Sequence, residues 1–236
     1  LFYIGRPQAL SLRERFIMQT VIVDYGSGNL RSAANAFERA AADSAVSTSI
    51  IVTSDADLVS KADRVVLPGV GAFADCKAGL DAVPELRAAL NHSVITKARP
   101  FFGICVGMQL MATKGLEHCE TSGFDWVSGT VEALQPSIDA GPGGTGRRIP
   151  HMGWNELNVT TPHPVLDGLG DSPFSYFVHS YQFVVDDPKM VCATVDYGQT
   201  VTAAIGRGTL FGTQFHPEKS QGVGLKLIAN FLKWAP

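Results

Sequence analysis

A cysteine with a glycine two residues away on either side is the first candidate for chemistry in this sequence. The segment Gly103-Ile104-Cys105-Val106-Gly107 links the strand pattern PFFGI to the helical pattern VGMQLMA. Such a strand-turn-helix placement holds a nucleophile on a sharp turn, and the glycines let strand and helix approach closely. Backbone N–H groups at the start of the helix favour the thiolate, which is the attacking form of cysteine. The segment predicts a nucleophile at Cys105, and an inert core cysteine is the alternative.

A histidine and a carboxylate occur together in Phe215-His216-Pro217-Glu218, directly after the apolar run TLFGTQF. A cysteine nucleophile needs a base, and the base needs a group that orients it. Side chains two residues apart in an extended chain point the same way, so Glu218 can reach the imidazole of His216. The segment predicts an acid/base pair at the carboxyl end of a strand, and the alternative is a surface turn with an incidental carboxylate.

The turn Pro68-Gly69-Val70-Gly71 follows the strand pattern RVVL and offers backbone donors. Attack on a carbonyl carbon places negative charge on the oxygen, and N–H groups stabilise that charge. Two glycines in four residues let the backbone turn its N–H groups toward a ligand, although a plain type II turn is the alternative. Because all three segments follow predicted strands, we expect them to converge on one site.

Alternation of strands and helices in the first half indicates how these segments are positioned. The predicted strands are TVIV, SIIVTS, RVVL and PFFGI, and the predicted helices are LRSAANAFERAAA, a short helix or turn in DADLVSKAD, and Ala74 to Leu90 with an interruption near Pro84. Strands joined by helical crossovers pair in parallel. The first half therefore predicts a doubly wound sheet.

The second half consists of short, alternating, turn-bounded runs and a final helix. These runs are GTVEAL, NELNVT, YFVHSYQFVV, MVCATVDYG, VTAAIGRG and TLFGTQFHPE, and the glycine-rich stretch 139–148 is typical of a surface loop. The closing run GVGLKLIANFLKW has the apolar spacing of a packed helix. The fold class that we predict is α/β, with a doubly wound mixed sheet that has a parallel core and an antiparallel extension.

Composition and charge exclude several classes of function. Charged residues make up 17% of the chain, and the net charge of -3 provides no basic field for nucleic acid or an anionic membrane. The four cysteines lie far apart, so neither a disulfide framework nor a metal site is indicated. No apolar stretch is long enough for a membrane span. We expect a protein of the reducing cytoplasm, without a metal.

Several segments together resemble class I (triad) glutamine amidotransferases, and within that family the glutaminase subunits of imidazole glycerol phosphate synthases. The matching segments are VDYGSGNLRS, LPGVGAF, GICVGMQL, PHMGWNEL, FVHSYQF and FHPEKS, within a likeness from about Met18 to Trp234. The glutaminase components of anthranilate and aminodeoxychorismate synthases carry a different opening segment and a different glycine turn. The resemblance implies the flavodoxin-like sheet of class I glutamine amidotransferases.

The resemblance also implies a role for individual residues. Cys105, His216 and Glu218 would form the catalytic triad, and Gly69 and Val70 would lie on the oxyanion strand. The implied contacts with glutamine are made by Gly71, Val106, Gln109, Glu117, His179, Ser180 and Tyr181. Two positions depart from the family pattern, because ATKGLEH around Glu117 replaces an acidic run and Gln182 stands where an aromatic residue is frequent.

The implied reaction is hydrolysis of L-glutamine through a glutamyl thioester, without a cofactor. The ammonia would pass to a (β/α)8 cyclase subunit, which makes imidazole glycerol phosphate and an aminoimidazole carboxamide ribotide. Neither nucleic acid nor a membrane is an expected partner. Three alternatives stay open: the glutaminase subunit of another amidotransferase, a stand-alone cysteine hydrolase of related fold, and a non-catalytic scaffold.

Residues 1–17 precede the first predicted strand and resemble no part of the family. They contain neither a compact apolar signal core nor a small-residue cleavage site. We expect a non-native extension, followed by one glutamine amidotransferase domain over residues 18–236. The alternative is a native arm that packs on the domain through Phe2, Tyr3 and Ile4.

Overall fold

The computed structural model describes residues 17–135 and 148–236. The extension expected over 1–17 and the loop expected over 139–148 lie outside this part of the chain, apart from residues 17 and 148. The first half alternates strands and helices as predicted. In chain order its elements are β1 (Met18–Val23), α1 (Leu30–Asp43), β2 (Thr48–Thr53), α2 (Ala56–Lys61), β3 (Arg64–Gly69), α3 (Phe73–Ala82), α4 (Leu86–Leu90), a π-helical turn (Asn91–Thr96), β4 (Phe101–Cys105) and α5 (Val106–Gln109).

Short strands dominate the second half, which ends in one long helix. They are β5 (Lys114–Gly115), β6 (Thr121–Ser122), β7 (Gly129–Ala133), β8 (His151–Glu156), β9 (Asn158–Val159), β10 (Phe174–His179), β11 (Tyr181–Val185), β12 (Val191–Asp196), β13 (Thr200–Arg207) and β14 (Leu210–Thr213). Helix α6 (Gln221–Lys233) follows a 3₁₀ turn over Pro217–Lys219. The final helix was predicted from its apolar spacing, and Leu227, Ile228 and Phe231 are indeed buried.

Eight strands form the central sheet, in the order β2-β1-β3-β4-β14-β13-β12-β9. The first five of these pair in parallel, and β13, β12 and β9 continue the sheet in antiparallel pairs. The doubly wound core with an antiparallel extension is therefore confirmed. Because β4 lies between β3 and β14, the carboxyl ends of these three strands meet at one edge of the sheet.

We expected all strands of the second half to extend the central sheet, but the remaining ones form two separate small sheets. Strands β11, β7, β5 and β6 form a four-stranded sheet, and β10 pairs with β8 in a two-stranded sheet. The run YFVHSYQFVV thus divides between two sheets, since β10 ends at His179 and β11 starts at Tyr181. Both small sheets adjoin the edge at which β3, β4 and β14 end, and they supply one side of the cavity described below.

Helix α5 is also shorter than the predicted VGMQLMA, because it ends at Gln109. The backbone carbonyls of Leu110 and Met111 accept hydrogen bonds from Phe124, Trp126 and Val127 instead of from the next helical turn. Those bonds tie the chain after the helix to the segment that leads into β7. The apolar run continues to Ala112 as buried, non-helical core.

Aromatic side chains fill the interface between the central sheet and the paired helices α1 and α6. Phe37 of α1 and Phe231 of α6 both contact Phe102 of β4, with ring centroids 6.3 and 5.2 Å away. On the opposite face of the sheet, Phe101 meets Trp126 edge to face at 5.0 Å. Both faces of β4 are therefore packed, which holds the strand that carries Cys105 rigidly in place.

Candidate active site

Cys105 is the last residue of β4 and stands directly before α5. Its backbone has φ 55° and ψ -114°, in the left-handed half of conformational space that side-chain-bearing residues rarely adopt. Such a residue costs on the order of 1–3 kcal/mol and persists only where its surroundings hold it. The side chain is 4% exposed. Strand, sharp turn and helix are thus arranged as the G-x-C-x-G spacing predicted.

The two flanking glycines permit backbone-on-backbone packing at this turn. A Cβ on Gly107 would lie 1.7 Å from the carbonyl oxygen of Leu67, and one on Gly103 would lie 2.6 Å from the carbonyl oxygen of Gly107. Helix α5 is therefore pressed against β3, which places the turn after β3 next to Cys105. In the sheet, Gly69 is the register partner of Cys105.

His216 and Glu218 follow β14 and form a buried pair. The Nδ1 atom of His216 lies 2.8 Å from Oε1 of Glu218, so the carboxylate accepts from Nδ1–H and fixes the tautomer that leaves Nε2 directed at Cys105. The backbone N–H of His216 donates to the carbonyl of Tyr176 at 2.9 Å. Ser220 Oγ donates to the carbonyl of His216 at 2.7 Å and accepts from the N–H of Tyr176 at 3.0 Å, which anchors the turn to β10.

The charge on His216 is set by its two neighbours. Burial disfavours the imidazolium and lowers the pKa, but the interactions with Cys105 and Glu218 outweigh burial and raise the pKa of His216 to about 10. Nε2 of His216 makes no hydrogen bond of normal geometry to any described residue. Catalytic contacts of this kind often tighten only when substrate is bound. The arrangement favours a protonated imidazole beside Cys105.

The turn after β3 presents Val70 at the mouth of the site, but the backbone N–H and carbonyl of Val70 are both hydrogen-bonded to Ser27. Ser27 Oγ donates to the Val70 carbonyl at 2.6 Å and accepts from the Val70 N–H at 3.2 Å. Tyr25 holds the preceding peptide through a hydrogen bond from its hydroxyl to the carbonyl of Pro68, at 2.8 Å. Gly71, at φ 104°, reverses the chain after Val70. The predicted oxyanion donor is thus occupied by Ser27 in this arrangement.

A cavity of about 320 Å³ lies over the cysteine. Ten of the residues predicted for the site line it: Val70, Gly71, Cys105, Val106, Gln109, Glu117, His179, Ser180, Tyr181 and His216. Gly69 and Glu218, the other two, lie behind the wall that their neighbours form. The structure therefore brings all twelve predicted residues to one place. No group of His, Cys, Asp or Glu in residues 17–135 and 148–236 is arranged to hold a metal ion, and the four cysteines are free.

Two of the predicted glutamine contacts have protein partners that orient them. Glu117 Oε2 accepts a hydrogen bond from the N–H of Phe73 at 2.7 Å. Phe73 is the first residue of α3, and the N-cap residue of this helix makes no side-chain hydrogen bond to it. Gln109 Nε2 donates to the carbonyl of Tyr181 at 3.1 Å. Glu117 keeps its second carboxylate oxygen and Gln109 keeps its amide oxygen, and both can face the cavity. The unusual sequence around Glu117 thus still delivers its carboxylate to the site.

His179 is held in one neutral tautomer. Its Nδ1–H donates to the carbonyl of Tyr181 at 2.8 Å, so Nε2 accepts from Nδ1 of His151 at 2.9 Å. The pKa of His179 is lowered to about 4, mainly by burial and also by repulsion from His151 and His216, while the hydrogen bond to the Tyr181 carbonyl opposes the shift. His179 is therefore a fixed hydrogen-bonding wall of the cavity rather than an acid.

Sequence reasoning missed five residues at or next to the site. Pro150, Val178 and Lys219 line the cavity, Ser27 holds Val70, and Gln214 contacts Cys105. All of these residues except Gln214 belong to segments that carried the family resemblance, but no role was assigned to them. Gln214 had one signal that could have found it, since it is a single amide at the end of an otherwise apolar strand pattern.

Comparison with known proteins decides the family. The profile described as glutamine amidotransferase class-I matches residues 21–234. The chain belongs to the class-I glutamine amidotransferase family. Curated relatives within it are 55% identical to this chain over 222 residues, which is 93% of this chain and the full length of each relative. They are named imidazole glycerol phosphate synthase subunit HisH, from Brucella suis biovar 1 (strain 1330) and from Rhodopseudomonas palustris.

Solved structures of glutamine amidotransferases share the fold. One crystal structure has a TM-score of 0.66 at 17% identity and covers 90% of this chain and 97% of its own. Another, from Thermotoga maritima, has a TM-score of 0.58 at 15% identity and covers 86% of this chain and 77% of its own. At these identities the likeness supports the architecture of the class-I glutamine amidotransferases. Finer assignments depend on the site and on the curated relatives.

Proposed function

We propose that this chain is the glutaminase subunit of an imidazole glycerol phosphate synthase. The observation that carries the proposal is the convergence of Cys105 with the His216–Glu218 pair on one cavity, in a chain that matches HisH subunits over their full length. The reaction is hydrolysis of L-glutamine to glutamate and ammonia. The ammonia serves a (β/α)8 cyclase subunit that makes imidazole glycerol phosphate and an aminoimidazole carboxamide ribotide.

The chemistry follows from the positions of the side chains. The Cys105 thiolate attacks the carboxamide carbon, and backbone N–H groups at Gly69 and Val70 stabilise the oxyanion once the Val70 peptide is released from Ser27. His216 gives its Nε2 proton to the departing nitrogen, so the C–N bond breaks and a glutamyl thioester and ammonia form. His216 then takes a proton from water, which attacks the thioester and releases glutamate and the thiolate.

Substrate recognition uses the remaining cavity wall. Glu117 offers a carboxylate for the α-ammonium group, and Gln109, His179, Ser180 and Tyr181 offer fixed hydrogen-bonding groups. Gly71 and Val106 complete the wall on either side of the nucleophile. Glutamine carries both a charged amino-acid end and a neutral amide, and the cavity provides a charged partner for the first and polar neutral partners for the second.

A partner subunit is needed because of the product. Ammonia in neutral water becomes ammonium, which has no lone pair for attack, so it has to be transferred within protein. Beside the cavity, one face of the β8–β10 sheet carries three exposed apolar side chains. They are Met152, Trp154 and Phe174, with exposed fractions of 61%, 46% and 47%. Val178, on the same face, lines the cavity. An apolar face that adjoins the site fits the docking surface of the cyclase in a heterodimer with an internal ammonia channel.

The location that fits this proposal is the cytoplasm, where all four cysteines stay reduced. In the described part of the chain, no helix has both the length and the apolar composition to cross a membrane.

Release of glutamate from glutamine, measured for the purified chain alone and with the cyclase subunit and its ribotide ligand, tests the proposal. We expect slow release by the chain alone and a gain of roughly 100- to 1,000-fold in the complex, the factor that one oxyanion donor provides. No release above background in the complex would contradict the proposal. Equal release with an unrelated (β/α)8 barrel would favour a stand-alone hydrolase.

A further inference from the structure

Gln214 is a buried amide next to the nucleophile, and the proposed mechanism gives it no role. It follows β14, two residues before His216, and its side chain is 0% exposed. Its backbone N–H donates to the carbonyl of Ala203 at 2.8 Å. The side chain makes two contacts, one of 3.0 Å from Oε1 to Nε2 of Gln109 and one of 3.7 Å from Nε2 to Sγ of Cys105.

The orientation of both amides is determined by a backbone group. The Tyr181 carbonyl can only accept a hydrogen bond, so the Gln109 atom 3.1 Å away from it is the amide nitrogen. That same nitrogen contacts Gln214, which must therefore present its oxygen. The remaining atom of the Gln214 amide is the nitrogen, and it faces the sulfur. A fixed carbonyl on β11 thus directs a hydrogen-bond donor at Cys105 through two side chains.

This orientation has a consequence for the nucleophile. An amide N–H can only donate, and a thiolate is a better acceptor than a thiol, so the contact stabilises the attacking form of Cys105. His216 supplies the positive charge near the sulfur. Gln214 adds an uncharged donor that cannot transfer its proton and therefore stays in place through the reaction.

A second consequence concerns the substrate. Both hydrogen bonds of Gln109 use Nε2, so its Oε1 is left for the cavity that Gln109 lines. An oxygen there accepts from a donor on the substrate, and glutamine carries such donors in its ammonium and carboxamide groups. If Gln109 turned over, its nitrogen would face those donors and repel them.

We propose that Gln214 is a positioning residue for the glutaminase reaction: it donates a hydrogen bond to the sulfur of Cys105 and holds Gln109 with its carbonyl oxygen toward glutamine. The inference rests on the proposed function, because it takes Cys105 as the nucleophile and glutamine as the substrate. It extends that function by adding a group that the triad does not contain.

Alkylation of the full chain by iodoacetamide tests the sulfur contact without turnover. In Gln214→Met the donor is lost, and we expect labelling of Cys105 at neutral pH to slow by roughly 10- to 100-fold, the value of a hydrogen bond to a charged group. The deficit should vanish at high pH, where thiols ionise without help. Mass spectrometry of each cysteine peptide provides internal controls, since exposed Cys119 should react as in the wild type and buried Cys76 and Cys192 should stay protected.

Steady-state kinetics of the complex separate the two contacts. Gln214→Glu keeps an oxygen for Gln109 but removes the donor to the sulfur, so kcat should fall by roughly tenfold or more while KM changes by less than about threefold. Gln214→Met loses both contacts and should also raise KM. Gln135→Glu makes the same chemical change at an exposed position and should match the wild type.

Labelling of Cys105 in Gln214→Met at the wild-type rate at every pH would overturn the proposal. A loss of labelling rate of the same size at every pH would also overturn it, because that result indicates altered access of iodoacetamide to the sulfur. If Cys76 and Cys192 become reactive in Gln214→Met, the variant has not folded and the kinetics of Gln214→Glu decide. Wild-type kcat in Gln214→Glu would then overturn the proposal. A wild-type complex without glutaminase activity would contradict the proposed function, while the alkylation result would still report on Gln214.

Discussion

Two buried histidines of the cavity differ in their charge at the scale of single residues. His216 and His179 both line the cavity and both are buried. The pKa of His216 is raised to about 10 because Cys105 and Glu218 outweigh burial, whereas the pKa of His179 is lowered to about 4 because burial dominates. His216 is thus prepared to hold a proton next to Cys105, and His179 is prepared to stay neutral.

Substitution of the triad partners should separate a base from the group that orients it. His216→Ala removes the proton carrier, and Glu218→Gln keeps an oxygen that can accept from Nδ1–H but removes the charge. We expect the loss of kcat in Glu218→Gln to be at least about tenfold smaller than in His216→Ala. Partner-stimulated glutamate release measures both. Equal and complete loss would mean that Glu218 does more than orient the imidazole.

His179 should make the fold sensitive to acid. In the unfolded chain its pKa is near 6.5 and in the folded chain about 4, so between these values the unfolded state binds more protons and stability falls as pH falls. The full effect is at most about 3.5 kcal/mol, since each pKa unit corresponds to about 1.4 kcal/mol. His179→Asn keeps a donor for the Tyr181 carbonyl and cannot be charged.

Urea unfolding of the wild type and of His179→Asn, from pH 7 down to pH 4.5, measures this effect. The wild type should lose more free energy of unfolding than the variant over this range. Parallel curves would show that His179 takes up its proton in the folded state as readily as in the unfolded one.

Three chain segments determine the site at the scale of elements: the turns that follow β3, β4 and β14. Their register sets Gly69 beside Cys105 and Thr213 beside Ile104, so each turn leaves the same edge of the sheet. The contact of α5 with β3 depends on Gly107, which has no Cβ, because a methyl group there would collide with the carbonyl oxygen of Leu67. The geometry of the nucleophile therefore depends on a contact between two backbones.

Gly107→Ala should disrupt that contact. Its new methyl group would come 1.7 Å from the carbonyl of Leu67, so α5 has to move, and we expect a destabilisation of about 2 kcal/mol or more together with loss of glutaminase activity. Gly222→Ala in α6 is the matched control, because nothing lies within 4 Å of its Cβ position and it should be neutral or slightly stabilising. Thermal unfolding of both variants measures the difference. Equal melting temperatures would show that the turn adapts.

The Ser27–Val70 contact should control the resting rate. Ser27→Ala removes both hydrogen bonds to the Val70 peptide, which frees the N–H for the oxyanion, so glutamate release by the chain alone should rise severalfold. Val70→Pro has no N–H to give and should suppress the partner-stimulated rate far more than glutamine affinity. Glutamate release with and without the cyclase measures both variants. An unchanged resting rate in Ser27→Ala would show that Ser27 does not withhold the donor.

Much of this arrangement was predictable, because the sequence shows where each buried parallel strand ends. The runs RVVL, PFFGI and TLFGTQF are each followed by a turn signal, and that boundary placed Val70, Cys105 and His216 at one edge. The division of the later strands among three sheets was not predictable, since period-2 alternation shows a strand but not its partner. The role of Gln214 was equally hidden, because a single amide in a mostly apolar run does not show which residue it will contact.

At the scale of the whole molecule, the cavity and an exposed apolar sheet face adjoin each other. Met152 and Trp154 on β8 lie opposite Val178 and Tyr176 on β10, and Val178 also lines the cavity. A partner that covers this face would close the site from water and receive the product directly. We therefore predict that the chain supplies ammonia for chemistry in another subunit.

Synthesis by the complex of Cys105→Ser with the cyclase subunit tests that central claim most directly. With glutamine as nitrogen source, formation of imidazole glycerol phosphate should be lost, because serine at this position lacks the thiolate that His216 and Gln214 stabilise. With added ammonia, the same complex should form the product at nearly the wild-type rate, since the cyclase does not use the thiol. Loss of both activities, or retention of both, would contradict the assignment of Cys105 as the nucleophile that supplies ammonia to the partner.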